Sequence, residues 1–486
     1  MSRSDALCRA AREEEGDPLK ARKRATGPGI RSGAWAAALA ALLLPAALAG
    51  QGADRAASGE EGTAVRTLSL EEALAAAREH NAGLRLSGQA ADRARARSRQ
   101  ATAPLFPRIE LEAGWTRTAD PVGVFGTKLR QGTFGQEDFA VGALNDPAPI
   151  DDWTGRASLR WEIGAPRRWA GRAAADDAAR AAAWEEARTR EATDLGTRFR
   201  FYDALRAEGR VEAARAALEA ASATVERFRR RHEEGMLTRA DLLQARSERA
   251  AARAELAGAE RGRYQARASL AVHLGWSPDD SLPDPAGELA MPGGAGPVRE
   301  FDPAARSDLR ARRAAVEAAE SSLTGAKLAW APSLGAFATA STHGIDGFGD
   351  DGSDWAVGLG LRWTLFSGFE RSARVDEASA ELTSARIEYE QQLREARAEA
   401  RTARQSVEAA REGVEASREA REAAREGRDL MRRRFEEGLA TPADLLQAEA
   451  RATRARARLV DALARYHMAV ARLEFVRARG DREEVR

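Results

Sequence analysis

The sequence predicts a mainly helical protein with a small β part, built from two tandem repeats. Residues 229–245 read RRRHEEGMLTRADLLQA and residues 432–448 read RRRFEEGLATPADLLQA, so one local pattern occurs twice. Charged residues make up 31% of the chain and aromatic residues 6%, which is typical of long helices and coiled coils. Four short segments alternate apolar and polar residues, as half-buried strands do. Together these observations predict long helical hairpins with four strands.

Each copy of the repeated stretch predicts a helix, a tight turn and a second, antiparallel helix. A glycine ends the first helix, because glycine takes the left-handed conformation without steric cost. A threonine then caps the next helix, with an aspartate at the third helical position in a variant of the capping box. We call these turns tip 1 (Gly235, Met236, Leu237 and Thr238) and tip 2 (Gly438, Leu439, Ala440 and Thr441).

The N-terminus predicts an exported protein. A basic region precedes the apolar run 34–48, which is too short to span a bilayer and ends in Ala-Leu-Ala, so residues 1–49 are expected to be a cleavable signal peptide. The single cysteine, Cys8, precedes the expected cleavage site. The mature chain is therefore expected to have neither a disulfide nor a lipid anchor.

The rest of the chain divides into a leader, two repeats, a linker and a tail. Each repeat consists of a helix, a β-hairpin, a long helix, a tip and a last helix. The first helix is expected to run unbroken from Leu68 to about Ala103, and residues 118–150 to form a long loop. The predicted boundaries are 50–67 for a flexible leader, 68–276 for repeat 1 with its hairpin over 107–163, 277–302 for the linker, 303–479 for repeat 2 with its hairpin over 333–365, and 480–486 for the tail.

The helix lengths predict how the helices pack. Each long helix has roughly 68 residues, or about 100 Å, and the short helices before and after it have roughly 34 and 36. Two short helices placed end to end therefore match one long helix, which predicts a palisade of parallel rods. Because the seams are mostly alanine and bury little area per residue, we expect the protomer to require assembly.

The strands have the pattern of a membrane barrel. Each has about 9–11 residues, the length that crosses a bilayer as a tilted strand. Four strands cannot close a barrel, whereas three chains would supply twelve. Soluble hairpins that cap a coiled coil remain the alternative. In a barrel, the expected aromatic girdle consists of Trp115, Trp153, Trp161, Trp355 and Trp363.

With its tandem hairpins, signal peptide and duplicated G-x-x-T-x-x-D-L-L-Q-A turn, the sequence resembles the TolC family of outer-membrane efflux proteins over about residues 68–479. The resemblance implies a homotrimer with a twelve-stranded barrel in outer-membrane lipid and a twelve-helix tunnel across the periplasm. It also implies two protein partners, a periplasmic adaptor (membrane fusion) protein and an inner-membrane pump or ABC exporter. Neither catalysis nor a cofactor is implied.

The same resemblance assigns roles to the tips. Both tips would contact the adaptor, although plain helix capping also explains their residues. Asp444 falls on the first of two acidic entrance positions, and Gln447 takes the place of the second; Asp241 and Gln244 are their equivalents in repeat 1. Asp444 is therefore either a gate residue or a helix cap. Ala440 replaces a basic residue that forms a latch in some members, so that latch does not transfer.

No pattern in the sequence indicates an enzyme, a metal site or a nucleic-acid site. The five histidines have no paired metal spacing, and G-x-S-x-G, P-loop and H-E-x-x-H motifs are absent from the sequence. Basic residues alternate with acidic ones, as on solvated helix faces. The expected function is therefore a passive exit duct for efflux or type I secretion. The alternative is a periplasmic coiled-coil structural or adaptor protein without a barrel.

Overall fold

A computed structural model describes residues 67–277, 282–291, 301–349 and 351–477. The predicted signal peptide with Cys8, the predicted tail and the leader up to residue 66 lie outside them. Within them the strands are β1 (Thr67–Leu68), β2 (Arg108–Thr118), β3 (Ile150–Gly164), β4 (Asp284–Pro285), β5 (Ser333–Gly344) and β6 (Gly352–Arg362). The α-helices are α1 (Leu70–His80), α2 (Ala82–Thr102), α3 (Pro121–Arg130), α4 (Val141–Asn145), α5 (Pro166–Glu233), α6 (Arg239–His273), α7 (Ser307–Leu328), α8 (Glu370–Glu436) and α9 (Pro442–Arg477). The predicted fold class, mainly helical with a small β part, is confirmed.

The chain forms two compact units. The first, which we call the strand-tip unit, comprises Leu111–Ala157 and Thr339–Ala356. The second, the helical unit, contains the long helices, the bases of the strands and both tips. The four main strands follow the order β2-β3-β5-β6, so each repeat contributes one hairpin and the two hairpins meet between β3 and β5.

In the helical unit, each long helix packs beside shorter ones. The 68-residue α5 contacts α1, α2 and α6 as well as α7 and α9, while the 67-residue α8 contacts α7 and α9. The predicted pairing of one continuous helix with a stacked pair is therefore observed. One face of α5 is buried in this packing, with Ala204, Val211 and Phe228 each 0% exposed.

The first helix is not continuous, contrary to the sequence expectation. It breaks at Asn81, whose backbone is extended and whose side chain caps α2 by accepting the Leu84 amide at 3.0 Å. The Asn81 amide group also donates to the His273 carbonyl at 2.8 Å, at the point where α6 ends. At this break, Asn81 therefore binds the C-terminal end of α6 to the junction between α1 and α2.

One further sequence expectation was wrong, and one short strand pairing was not anticipated. The predicted loop over residues 118–150 contains helices α3 and α4, and Asp120 caps α3 by accepting the Gly123 amide at 2.6 Å. The predicted leader and linker also contribute structure, because Thr67–Leu68 pairs in parallel with Asp284–Pro285. This pairing places Leu68, 2% exposed, in the core cluster at the joint of α1 and α6.

Candidate functional site

The two tips have the backbone geometry that the sequence predicts. Gly235 has φ +75° and Gly438 has φ +78°, both in the left-handed region. In tip 1 the Met236 amide donates to the Arg231 carbonyl at 2.8 Å, and in tip 2 the Leu439 amide donates to the Arg434 carbonyl at 2.7 Å. This is the six-to-one bond of a Schellman motif, which satisfies carbonyls at a helix end.

The predicted capping boxes with aspartate are present at both tips. Asp241 Oδ2 accepts the Thr238 amide at 3.0 Å and the Thr238 hydroxyl at 2.6 Å. Asp444 makes the same two bonds to Thr441, at 3.0 and 2.6 Å. The hydrogen bond from the Thr441 side chain, followed by that from its backbone, lowers the pKa of Asp444. One carboxylate oxygen of each aspartate is therefore committed to capping.

A buried apolar cluster joins the two tips, and we call it the tip cluster. Phe228 of α5 and Phe435 of α8 stack with their ring centroids 5.2 Å apart, and they are 0% and 2% exposed. Leu237 and Ala440 pack against the cluster from the turns. Its other members are Val225, Leu242, Ala245, Leu445 and Leu446.

Arg231 links the tips through the main chain of α8. Its two terminal nitrogens donate to the carbonyls of Phe435 and Glu436, each at 2.8 Å. The guanidinium carbon also lies 4.6 Å from the centroid of the Phe435 ring. Sequence patterns did not reveal this contact, because the acceptors are backbone atoms. They belong to residues 204 and 205 positions after Arg231 in the chain.

A buried carboxyl group lies between α5 and α9. Glu449, 9% exposed, accepts a hydrogen bond from the Thr224 hydroxyl at 2.9 Å. Burial raises the pKa of Glu449, and the Thr224 hydrogen bond and the charge of Arg227 offset only part of this effect. No sequence pattern indicates this pair, because repeat 1 has Arg246 at the position of Glu449.

Four of the predicted tip and entrance residues have exposed side chains. Met236 and Leu439 are 62% and 71% exposed and project from the turns. Gln244 and Gln447 are exposed on the following helices. Gln447 accepts a hydrogen bond from Arg451 at 3.4 Å. Adaptor contact and an entrance role stay predictions for these residues.

The predicted girdle tryptophans occupy related positions in the two repeats. The Trp161 indole donates to the Leu105 carbonyl at 2.9 Å, and the Trp363 indole donates to the Trp330 carbonyl at 3.1 Å. The sequence pattern placed Trp363 within the second hairpin strand. In the structure Trp363 follows Arg362, the last residue of β6.

The other three predicted girdle residues lie in the strand-tip unit. Trp115 and Trp153 contact each other with their centroids 6.2 Å apart, and Trp355 is 77% exposed. Whether these five residues form one girdle stays a prediction.

None of the helices in the described ranges is long and apolar enough to cross a membrane. The described side chains include no group of three or more His, Cys, Asp or Glu residues placed to hold a metal ion.

The sequence model of the outer membrane efflux protein family matches residues 73–276 and 304–477. The chain belongs to this family. The two matched segments correspond to the two repeats, so the duplicated architecture is the part of this efflux-family chain that the family shares. A search of curated protein sequences gives no match.

Solved structures of outer-membrane proteins have the same fold as this efflux-family chain. VceC from Vibrio cholerae is 21% identical with a TM-score of 0.70, over 84% of this chain and 96% of that one. The CmeC outer membrane channel of Campylobacter jejuni is 15% identical with a TM-score of 0.72, over 87% and 91%. The open state of the Neisseria gonorrhoeae MtrE outer membrane channel is 18% identical with a TM-score of 0.72, over 87% and 94%.

Proposed function

We propose that three copies of this chain form a passive duct through which an efflux or type I secretion system exports its cargo across the outer membrane. Membership of the outer membrane efflux protein family supports an exit duct. The signal peptide predicted over residues 1–49 would export the chain, and the protein would remain without a lipid anchor. An adaptor and an inner-membrane pump or ABC exporter would complete the system and supply its energy.

The uncovered apolar face of β6 is the observation that carries this proposal. Every second residue from Trp355 to Leu361 is apolar and at least 69% exposed: Trp355, Val357, Leu359 and Leu361. Contiguous apolar surface of this kind marks an interaction site, and its period of two is that of a lipid-facing strand. Outer-membrane lipid is therefore the proposed partner of this face, with tryptophans at its borders.

Differences between the two long helices support assembly. Helix α5 packs against α1, α2, α6, α7 and α9, whereas the main contacts of its repeat equivalent α8 are with α7 and α9, together with α5 at the tip cluster. Helix α8 consequently leaves Ile387 and Leu430 56% and 51% exposed. A second copy of the chain would cover this face, and three copies would give the twelve strands that close a barrel.

We further propose that the projecting side chains of Met236 and Leu439 contact the adaptor. Asp241, Gln244, Asp444 and Gln447 would lie near the periplasmic entrance. For Asp444 the capping bonds to Thr441 favour a structural role, because they already engage one of its oxygens.

A pair of arginine substitutions on β6 tests the lipid contact. Leu359→Arg places a charge on the exposed apolar face, where a lipid-facing strand loses about 2–4 kcal/mol at mid-membrane. Gly360→Arg is the matched control, because its side chain would start from the opposite face, where an added Cβ would meet no atom within 4 Å. We expect the Leu359→Arg protein to be lost from outer-membrane fractions and the Gly360→Arg protein to remain as a detergent-extracted trimer.

The same fractionation distinguishes the alternative function. If wild-type protein is recovered as a soluble, elongated periplasmic molecule, and both arginine variants behave like it, the duct proposal is wrong. A coiled-coil structural or adaptor protein would then be the better interpretation.

A further inference from the structure

Helix α3, in the strand-tip unit, crosses the four-stranded sheet from one edge to the other. It begins at Pro121, just after the edge strand β2 ends at Thr118. It ends at Arg130, whose carbonyl oxygen is so close to Gly352 that an added Cβ there would collide with it, and Gly352 begins β6, the other edge strand. The ten residues of α3 span about 15 Å, and the three spacings between four strands amount to about 14 Å. We call residues 121–131 the strap.

The strap lies on the face of the sheet opposite Trp355. Side chains alternate along a strand, so Gly352 and Asp354 share the face that Trp355 does not. A Cβ added to Gly352 would point at the strap, which places the strap on the Gly352 face. Since the Trp355 face is the proposed lipid contact, the strap lies on the side that would line the bore of the duct.

A buried polar cluster fixes the end of the strap to both repeats. Gln131, 2% exposed, donates to the carbonyls of Asp151 and Gly344 at 2.8 and 3.2 Å. It also donates to the Asp152 carboxylate at 3.3 Å, and the Nδ1 of the buried His343 lies 3.1 Å from each oxygen of that carboxylate. Because β3 belongs to repeat 1 and β5 to repeat 2, these bonds hold the strap to both hairpins. Polar groups that bond to one another in a buried site favour a single arrangement.

The strap has a second, apolar stripe that its own chain leaves uncovered. Val124 and Thr127 of α3 are buried, as is Gln131. Steps of three and four residues on the other side of the helix give an exposed stripe made of Val122, Phe125 and Leu129. Contiguous exposed apolar surface of this kind marks an interaction site.

The dimensions of a barrel decide what covers this stripe. Twelve strands about 4.8 Å apart and tilted by about 40° give a barrel about 24 Å across between backbones. The inward side chains of the wall take up about 5 Å and a helix about 10 Å, which together exceed the radius of about 12 Å. Three straps inside one barrel therefore meet at its axis, and each exposed stripe contacts the same stripe of the other copies.

We infer that the three straps of the assembled duct contact one another through Val122, Phe125 and Leu129 and thereby close its outer mouth. The inference rests on the proposed duct function, because the barrel brings the straps together. An apolar constriction keeps water and ions out without any charged group. This closure belongs to the strand-tip unit and uses neither of the two tips.

Cysteine cross-linking tests the contact between copies. The only cysteine of the chain, Cys8, lies in the predicted signal peptide, so a cysteine placed at 122, 125 or 129 would be the single thiol of the mature protein. On oxidation in membranes we expect disulfide-linked dimers from at least one of Val122→Cys, Phe125→Cys and Leu129→Cys.

The control for cross-linking is Asp346→Cys, on the exposed turn between β5 and β6. At the wall of the barrel its three copies would be about 20 Å apart, whereas a disulfide requires Cα atoms within about 7 Å. Dimers from none of the three strap positions, or equal dimer yields from Asp346→Cys, would overturn the inference.

Labelling of intact cells with a maleimide too large to cross the outer membrane tests the closure itself. Gly360→Cys serves as the reporter, because Gly360 shares the face of Asp354 further along β6 and an added Cβ meets no atom within 4 Å. Combining it with Gln131→Ala, which removes the bonds of the strap, should speed labelling roughly tenfold, the change that corresponds to losing about 1.4 kcal/mol. Leu129→Ser should give a smaller increase. Arg130→Ser, which alters an exposed residue outside the stripe, should leave the rate unchanged.

The Asp346→Cys protein separates the closure from the duct in the same experiment. Rapid labelling of Asp346→Cys, with Gly360→Cys labelled at one rate in all backgrounds, would refute the closure and leave the duct standing. If Asp346→Cys is not labelled in intact cells, the strand tips do not reach the cell surface and the duct proposal itself fails. If Gln131→Ala does not fold, Leu129→Ser decides the outcome, because it changes only an exposed side chain.

Discussion

Replacing Gly275 by alanine should destabilise the protein far more than the same change at either tip glycine. Gly275, Gly235 and Gly438 have nearly the same backbone, with φ of +77°, +75° and +78°. An alanine in the left-handed region costs about 1–2 kcal/mol at any of them. The three sites differ in what surrounds the added methyl group, so they separate backbone strain from steric conflict.

The surroundings of Gly275 add a second cost. A Cβ there would lie 2.5 Å from the His80 carbonyl oxygen and 2.9 Å from the His80 Cβ, whereas at Gly235 and Gly438 it would meet nothing within 4 Å. The nearest atom belongs to the backbone where α1 ends, so it cannot rotate away. Overpacking of this kind costs about 1–3 kcal/mol, which gives a total of about 2–5 kcal/mol for Gly275→Ala.

Hydrogen–deuterium exchange of the three alanine variants measures these costs locally. In Gly275→Ala, amides around Asn81 and the end of α6 should exchange at least roughly 30-fold faster. This factor corresponds to the lower limit of the expected cost, about 2 kcal/mol. In the tip variants only the tip amides should change, by a smaller factor. Equal effects of Gly275→Ala and Gly235→Ala would contradict the close approach of Gly275 to His80, where the ends of α6 and α1 meet.

Three further predictions concern buried or capping groups. The folded pKa of Glu449 is raised by burial, so the folded chain keeps a proton that the unfolded chain releases; stability should fall as pH rises through the folded pKa, and Glu449→Gln should flatten this dependence in melting curves. Arg306, 1% exposed, binds Asp308 at 2.6 Å; Arg306→Met leaves that carboxylate with a longer ion pair to Arg188, at 3.5 Å, and should lower the unfolding free energy by about 2 kcal/mol in denaturant titrations. Thr441→Ala removes the acceptor of the Asp444 amide and should cost about 1 kcal/mol, seen as faster exchange in the first turn of α9.

Each of these predictions has a matched control and a contradicting result. Glu437→Gln neutralises an exposed glutamate and should leave the pH dependence unchanged; an equal flattening would remove Glu449 as its cause. Arg313→Met removes a surface arginine and should cost little, because exposed ion pairs contribute about 0–1 kcal/mol. Thr238→Ala should reproduce the Thr441→Ala effect at the first turn of α6, since both caps have the same bonds; unequal effects would contradict their equivalence.

Local chemistry explains which parts of the fold could be predicted from the sequence. The tip turns follow from a glycine, a threonine and an aspartate within a few residues of one another, and the long helices follow from periodicity. The break at Asn81 had a local signal as well, an N-cap residue followed by Ala-Gly, but the strong helical pattern on both sides outweighed it. Helix α3 likewise had Asp120 and Pro121 as its start signal within a stretch that otherwise resembles a loop.

The contacts that join the tips could not be predicted in this way. Arg231 donates to backbone carbonyls, which every residue has, so no sequence pattern identifies the acceptors. The Glu449–Thr224 pair joins residues 225 positions apart and has no equivalent in repeat 1. The duplication gives one local signal, because His232 and Phe435 differ at otherwise matching positions. The carbonyl of Phe435 is one of the two that accept a hydrogen bond from Arg231.

Electron cryomicroscopy of the full chain in lipid nanodiscs tests the proposed duct most directly. We predict a threefold-symmetric particle in which strands from three copies form a closed barrel within the lipid belt, with the Trp355–Leu361 face towards lipid and a continuous bore between the long helices. A monomer, or a particle whose strands lie outside the lipid belt without a bore, would contradict the proposal.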